Sequence, residues 1–414
     1  MQKVTELYEI REKTMVHKTK HLSDRGKCHL TKAYNVVRHT IRKYYVFCIL
    51  TCCKKEWIDI MKNPLAIISF FVVHILLVLP LYSQKEATHW FFGDGQGLTF
   101  VSGQLAALPK LSLTADEAAV SMSHPITGQF QFYFDGTTVW SARSNAVMKN
   151  GSNMQSGKSS SMGGLSMPFM SNPNKFFLFT VPCLTGFDNL RTETMVVNEI
   201  DMAADGAKGE VTLKNQVLHR FTNEKITGTL TCDGKGYWVI VHDKEDAVFY
   251  AYKIYNDVLD PNPVISRIGN VPKGHDKVTS VLGQMKMSPD GSKLAMSYGD
   301  QGVELYRFNK RTGEITDPIT ISAPLSPSNS TPYPLMYSVS FSPDSRLLYI
   351  FGESTRSRVY RIYQYDVSKY SRTLILGSKY VTADLSKGDL LISALSLAPD
   401  GKLYFHTTTD SIDP

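Results

Sequence analysis

From residue 230 onward the chain repeats one succession of apolar and polar positions. In Tyr337-Ser338-Val339-Ser340-Phe341 apolar and small polar residues alternate, as in a strand with one buried face. Ser342-Pro343-Asp344-Ser345 stops that strand, and residues 347–350 form a nearly continuous apolar run suited to a strand covered on both faces. Ser288-Pro289-Asp290-Gly291 likewise precedes Leu294-Ala295-Met296, and Ala398-Pro399-Asp400-Gly401 precedes Leu403-Tyr404-Phe405. The three aspartates are 54 and 56 residues apart, and a looser copy, Cys232-Asp233-Gly234 before 237–241, lies 57 residues earlier. Proline fixes φ, aspartate bonds nearby backbone and glycine supplies positive φ, so each copy is a turn. Third strands are expected at 303–308 and 359–365, and weaker fourth strands at 318–321 and 373–376. Self-similarity at a period of roughly 40–60 residues, with four antiparallel strands per unit, predicts an all-β fold, a β-propeller of four-stranded antiparallel blades. Ordinary hairpins in a β-sandwich are the competing reading.

Upstream the pattern is also all-β. Residues 89–93 and 98–100 read as short strands around a Gly-rich turn, and Phe130, Phe132 and Phe134 lead through Asp135-Gly136 into Thr138-Val139-Trp140, a hairpin by its turn chemistry. Residues 150–164, rich in Ser, Gly and Asn, predict a solvated loop. Gly157-Lys158-Ser159 within it is not a phosphate-binding loop, because Ser152 stands where the first glycine is required and no helix pattern follows. The second unit has a buried strand at 176–181, after the Asn172-Pro173-Asn174 turn, and a third strand at 193–202. The third unit holds 237–241 and 248–252. The fourth begins near Val281, the fifth near Tyr337 and the sixth near Leu391. Six repeats are visible and the last has two strands, so the expectation is a ring truncated from seven blades, with an exposed, unpaired edge. Direct completion of the sixth unit by 89–100, closing the ring at six, is the alternative.

The first 84 residues differ from the rest. Residues 1–60 carry 13 Lys/Arg against 6 Asp/Glu, with no evident fold, whereas the remaining residues hold 32 of each. The net charge of +7 therefore belongs to this extension, and the neutral body offers no electrostatic support for nucleic-acid binding. Residues 61–84 have the layout of a signal peptide: Lys62, an apolar stretch over 65–80, then Leu81 and Ser83 at the recognised positions before a cut at Ser83/Gln84. On that reading translation starts at Met61 and residues 1–60 are not natively translated. Otherwise 64–82 is a signal anchor, the chain's one link to a membrane, and its basic flank stays inside the cell. Residues 85–414 form the propeller domain, expected to be incomplete at its C-terminal end. Four of the six cysteines precede residue 54; Cys183 and Cys232 could pair across neighbouring units or stand alone.

Several stretches, in order, are similar to one known family. These are 89–100 (His-Trp-Phe-Phe-Gly-Asp-Gly-Gln-Gly-Leu-Thr-Phe), 132–140, 148–151, 172–181, 237–242 and 288–295. Together they resemble the N-terminal propeller region of gliding-motility-associated, type IX-secreted bacterial surface proteins. The Ser-Pro-Asp-Gly turns are also similar to those of TolB-like periplasmic propellers, which bind partner proteins. The resemblance implies an exported protein, extracellular or at the outer cell surface, and carries over no catalytic residue. Members usually continue into immunoglobulin-like repeats and a sorting domain, neither of which is present in these residues.

No catalytic motif stands out. His-Glu-x-x-His and Gly-x-Ser-x-Gly do not occur. His124, His242 and His406 could face a central channel, but structural roles are expected for them. Asp243, Lys244, Glu245 and Asp246 read as a solvated turn in preference to a calcium site. No catalytic, cofactor or metal residue is assigned, and no cofactor is expected. The sequence thus favours a non-catalytic binding, adhesion or display module whose partner is a protein or a surface polysaccharide. A lactonase-type propeller hydrolase with a metal in the channel is the alternative, and it would require carboxylates and a histidine converging on the axis.

Overall fold

The computed structural model describes residues 4–10 and 85–409, except 104, 113, 116, 185–192, 273–279, 322–334, 355–358 and 385–389. The chain divides into two compact units, and all of these residues belong to the one that excludes 12–83. The Ser83/Gln84 cleavage site and the 64–82 segment lie outside the described residues, among which no helix is long and apolar enough to cross a membrane.

Strand β1 (Val4–Ile10) comes first in the chain. A three-stranded sheet follows: β2 (His89–Phe92), β3 (Gln96–Thr99) and β4 (Ala106–Leu108). The first blade is β5 (Val120–Ser123), β6 (Phe130–Phe134), β7 (Val139–Ser141) and β8 (Ala146–Val147). The second is β9 (Gly164–Pro168), β10 (Lys175–Thr180), β11 (Thr194–Asp201) and β12 (Glu210–Arg220). The third is β13 (Thr222–Leu230), β14 (Gly236–Asp243), β15 (Val248–Tyr255) and β16 (Val258–Leu259), with β17 (Val264–Arg267) also paired to β15. The fourth is β18 (Met285–Met287), β19 (Lys293–Ser297), β20 (Val303–Phe308) and β21 (Ile315–Ile321). The fifth is β22 (Leu335–Phe341), β23 (Leu347–Ser354), β24 (Val359–Asp366) and β25 (Tyr380–Asp384). The sixth joins β26 (Leu390–Leu397) and β27 (Leu403–Thr409) to β1. Within each sheet of the propeller, neighbouring strands run antiparallel.

Apolar faces meet between blades, not within them. Phe132, Phe134, Phe176 and Leu178 interlock the first blade with the second, and Phe177, Phe179, Val239 and Val241 the second with the third. Trp238, Ile240, Met296 and Tyr306 join the third to the fourth, Leu305, Val339 and Ile350 the fourth to the fifth, and Phe351, Ile362 and Phe405 the fifth to the sixth. Burying a side chain of this size contributes roughly 1.5–3 kcal/mol, and no blade can do so without a neighbour. The sheet β2–β4 packs on both sides, through Phe91 against Tyr133 of the first blade and through Phe100 and Trp90 against Tyr404 of the sixth. It thereby fills the sector where a gap was expected.

The repeated turns take one conformation. Gly234, Gly291, Ser345 and Gly401 have φ of 68°, 70°, 61° and 79°. In each turn the aspartate accepts hydrogen bonds from its own loop: Asp290 Oδ1 from Ser288 Oγ at 2.6 Å and Ser292 N at 2.9 Å, Asp344 Oδ1 from Ser342 Oγ at 2.6 Å and Arg346 N at 3.1 Å. The Asp290 N–H also donates to Ser345 Oγ of the next turn at 3.0 Å.

Four expectations are corrected. Residues 373–376 are not a strand: Arg372–Gly377 is a short helix that buries Ile375 against the fifth blade and exposes Leu374, and the fourth strand is the later β25. Residues 89–100 do not complete the sixth unit, as the alternative had it, but form their own sheet with β4. The far edge of β27, expected to be open, is paired along seven positions by β1, a strand within the extension that showed no fold in sequence. Lastly, 150–164 is not a solvated loop, since Met154, Ser156, Ser160 and Ser161 are buried there.

Candidate ligand cavity in the channel

The innermost strands β5, β9, β13, β18, β22 and β26 surround a channel. A cavity of about 470 Å³ opens there, lined by residues of β2, β5, β9, β18, β22, β26 and β27 and by the Glu117 and Ser161 segments. Six of its twenty lining residues are aromatic (Trp90, Phe91, Phe92, Tyr337, Tyr404 and Phe405), and most of the others are small or aliphatic. This volume lies within the range of small-molecule sites, which are mostly apolar with few polar groups.

Beside the cavity, Glu224 of the third blade, the Gly283 backbone before the fourth and Tyr337 of the fifth meet at Ser161, which precedes β9 of the second. Its N–H and Oγ donate to Glu224 Oε2 at 2.7 and 2.8 Å, and Gly283 N donates to its Oγ at 3.1 Å. The Tyr337 hydroxyl lies 3.1 Å from the same oxygen and donates to Glu117 Oε1 at 2.8 Å. Gly283 can approach this closely because it has no side chain: at its φ of +93° a Cβ would stand 2.6 Å from the Tyr337 carbonyl oxygen. Next to this hub, Ser338 Oγ donates to Gln284 Oε1 of the fourth blade at 2.5 Å and accepts Leu395 N of the sixth at 2.6 Å.

Glu224 reaches the hub through a bulge. Thr222 pairs with Asp243 and Ile226 with Val241, so β13 carries extra residues over this step, and Asn223, Glu224 and Lys225 turn inward fully buried. Burial pushes the Glu224 carboxyl up, opposed by hydrogen bonds from Leu184 N and Ser161 and by the adjacent Lys225. Lys225 Nζ donates to the Ser280 carbonyl at 2.9 Å; burial pulls its ammonium down to about 7, against the pull of Glu224. Burial also pushes the Tyr337 hydroxyl far up, and the Glu117 carboxylate adds to this.

His242, a channel candidate from sequence, is instead part of the contact between the third and fourth blades. Its Nδ1 lies 2.6 Å from the Asp243 carbonyl and its Nε2 3.3 Å from the Tyr298 hydroxyl, which leads on through Tyr306 to Glu304. Burial lowers it to about 3, so it is a neutral ring at physiological pH. His124 Nδ1 accepts the N–H groups of Ile126 and Thr127 in a surface turn, and the His406 side chain lies outside the described residues. Asp243 Oδ1 accepts Glu245 N and Asp246 N at 2.7 and 2.9 Å, while Lys244 pairs with Glu193 at 2.6 Å, as in a self-capped turn. Among the described residues no three of His, Cys, Asp and Glu are grouped so as to hold a metal ion. Cys183 and Cys232 do not pair with each other.

Sequence reading missed Glu117, Ser161, Glu224, Lys225, Lys286 and Tyr337. The one local signal was Lys286 itself, a charge set between two methionines in a strand-like stretch.

No family model matches the chain, and no curated protein matches it. Among solved structures it is similar to a protein from Lactobacillus plantarum, at 12% identity and a TM-score of 0.44 over 73% of this chain and 81% of that one. It is similar to the β-propeller domain of Cps50 (Swd1) from Myceliophteria thermophila, at 9% identity and a TM-score of 0.42 over 79% and 97% of the two chains. A putative 6-phosphogluconolactonase from Bacteroides uniformis shares 11% identity, with a TM-score of 0.35 over 71% and 78%. The chain is an all-β propeller by its own sheets.

Proposed function

We propose that this chain is a non-catalytic binding module of an exported surface protein, with the ring as a rigid frame and the channel cavity as the ligand site. The observation that supports it is the cavity itself, about 470 Å³ with an aromatic wall supplied by several blades. Such a wall gives contact area at low conformational cost, and the few polar groups fix orientation. Export rests on the signal-peptide pattern of 61–84, and the surface setting, gliding motility and type IX secretion on the order of motifs between 89 and 295.

The test uses the full chain in two assays. Protease added to intact cells should digest the propeller, and N-terminal sequencing of the released form should begin at Gln84, a form without β1 in which the β27 edge loses that partner; a released form that keeps residues 4–10 would overturn the cleavage reading. The purified chain should retain a protein or polysaccharide ligand from surface extracts, and Trp90→Ala should weaken that retention. Metal-dependent hydrolysis of lactones by the purified chain would replace this reading with the hydrolase one.

A further inference from the structure

Lys286 is the middle residue of β18 and its side chain lines the channel cavity. Its ammonium has no hydrogen bond, ion pair or cation–π contact with any described residue. The ionised groups of the lining and of the hub beside it have partners of their own. Glu117 takes the Tyr337 hydroxyl, Glu224 takes Ser161 and Leu184 N, and Lys225 is spent on the Ser280 carbonyl. Its own strand offers only Met285 and Met287 beside it. An ammonium drawn partly out of water with no counter-charge carries an unmet desolvation cost, and burial alone pulls Lys286 below the usual lysine range. An anion brought into the cavity offsets that cost. A flat apolar group fits beside Trp90, Phe92 and Tyr337, the partly exposed aromatics of the lining, whereas Glu117, on the same lining, repels any second negative charge.

We propose that the cavity binds a small organic monoanion, one carboxylate on a flat apolar body, with Lys286 as its counter-ion and the aromatic wall as its seat. This rests on the reading of the ring as a binding module.

The full chain is titrated calorimetrically with phenylacetate, with its neutral isostere phenylacetamide, and with inorganic phosphate. Saturable binding of phenylacetate at least tenfold tighter than phenylacetamide is expected, with phosphate not competing. Lys286→Met should bring the two organic probes to equal affinity, and Lys286→Arg should keep most of the preference. Equal binding of acid and amide by the wild-type chain overturns the counter-ion assignment while leaving the binding-module reading standing. Phosphate binding tighter than phenylacetate overturns the apolar-body part. No saturable binding of either organic probe overturns the site, and the cavity's role in the binding module falls with it. The acid–amide comparison needs no variant, so a misfolded Lys286→Met protein would not shelter the proposal.

Discussion

Replacing Lys225 by methionine removes the buried ammonium at the β13 bulge and keeps the length of the side chain. In the folded protein this amine titrates near 7, because burial outweighs the pull of Glu224. In the unfolded chain it titrates near ~10.4. Between those values the unfolded state binds more protons, so wild-type stability rises with pH, by at most about 1.4 kcal/mol per unit. From pH 7.5 to 9.5 the gain is about 2–3 kcal/mol. Burial moves the Glu224 carboxyl up, which contributes the opposite sign starting from the acid side, so the difference between wild type and variant is the informative quantity. His242, lowered to about 3, acts below pH 6.5, and the tyrosines whose hydroxyls are pushed up act above pH 10, both outside the window. The assay is guanidinium unfolding of the full chain followed by tryptophan fluorescence, at half-unit steps of pH. Wild type should gain stability across the window more steeply than Lys225→Met, whose remaining slope comes from Lys286 and Lys379, both also held below the usual lysine range. Parallel curves would show that the ammonium is not desolvated in the folded ring.

Other substitutions test the turns and the hub. Gly283→Ala puts a Cβ at 2.6 Å from the Tyr337 carbonyl at positive φ and should cost about 2 kcal/mol or more, read as a lower midpoint in denaturant. Asp344→Ala loses the acceptor for Ser342 Oγ and Arg346 N and should cost about 0.5–1 kcal/mol in neutral solution. Those same bonds hold the Asp344 carboxyl low, so its contribution is present above pH ~4 and lost as pH falls through the folded value, and the cost of the substitution should vanish in acid. Ser345 spends about 1 kcal/mol on its left-handed backbone and recovers a similar amount from the Asp290 N–H. Ser345→Gly should therefore change stability by under about 0.5 kcal/mol, while Ser345→Ala loses about 1; equal effects of the two would contradict this.

What was readable in the sequence is what is decided locally. A turn such as Ser288–Gly291 contains its own acceptor and its own positive-φ residue, and the alternation around Val339 determines which face is covered whatever lies opposite. The interior of the channel is decided by ring closure. Thr222-Asn223-Glu224-Lys225 has the composition of an exposed turn, and only the register slip against Val241 and Asp243 drives it inward. Ser160 and Ser161 look solvent-loving for the same reason, until Glu224 arrives from a strand more than sixty residues later. The Thr373–Leu376 stretch failed in the other direction. Its four residues suit a strand, but only Ile375 has a core to enter, and a single helical turn satisfies that while the pairing edge goes to Tyr380–Asp384.

The Pro-Asp turns have a consequence for how such a protein grows. Each one is complete in itself, and the bonds from the Asp290 N–H to Ser345 Oγ and from Lys293 Nζ to the Ser345 carbonyl are additions between two of them. A duplicated gene segment of this length would bring with it everything needed to stop, reverse and restart the chain. Blade number can then change by copying, and what selection has left to repair after each copy is the fit of greasy side chains at two new seams.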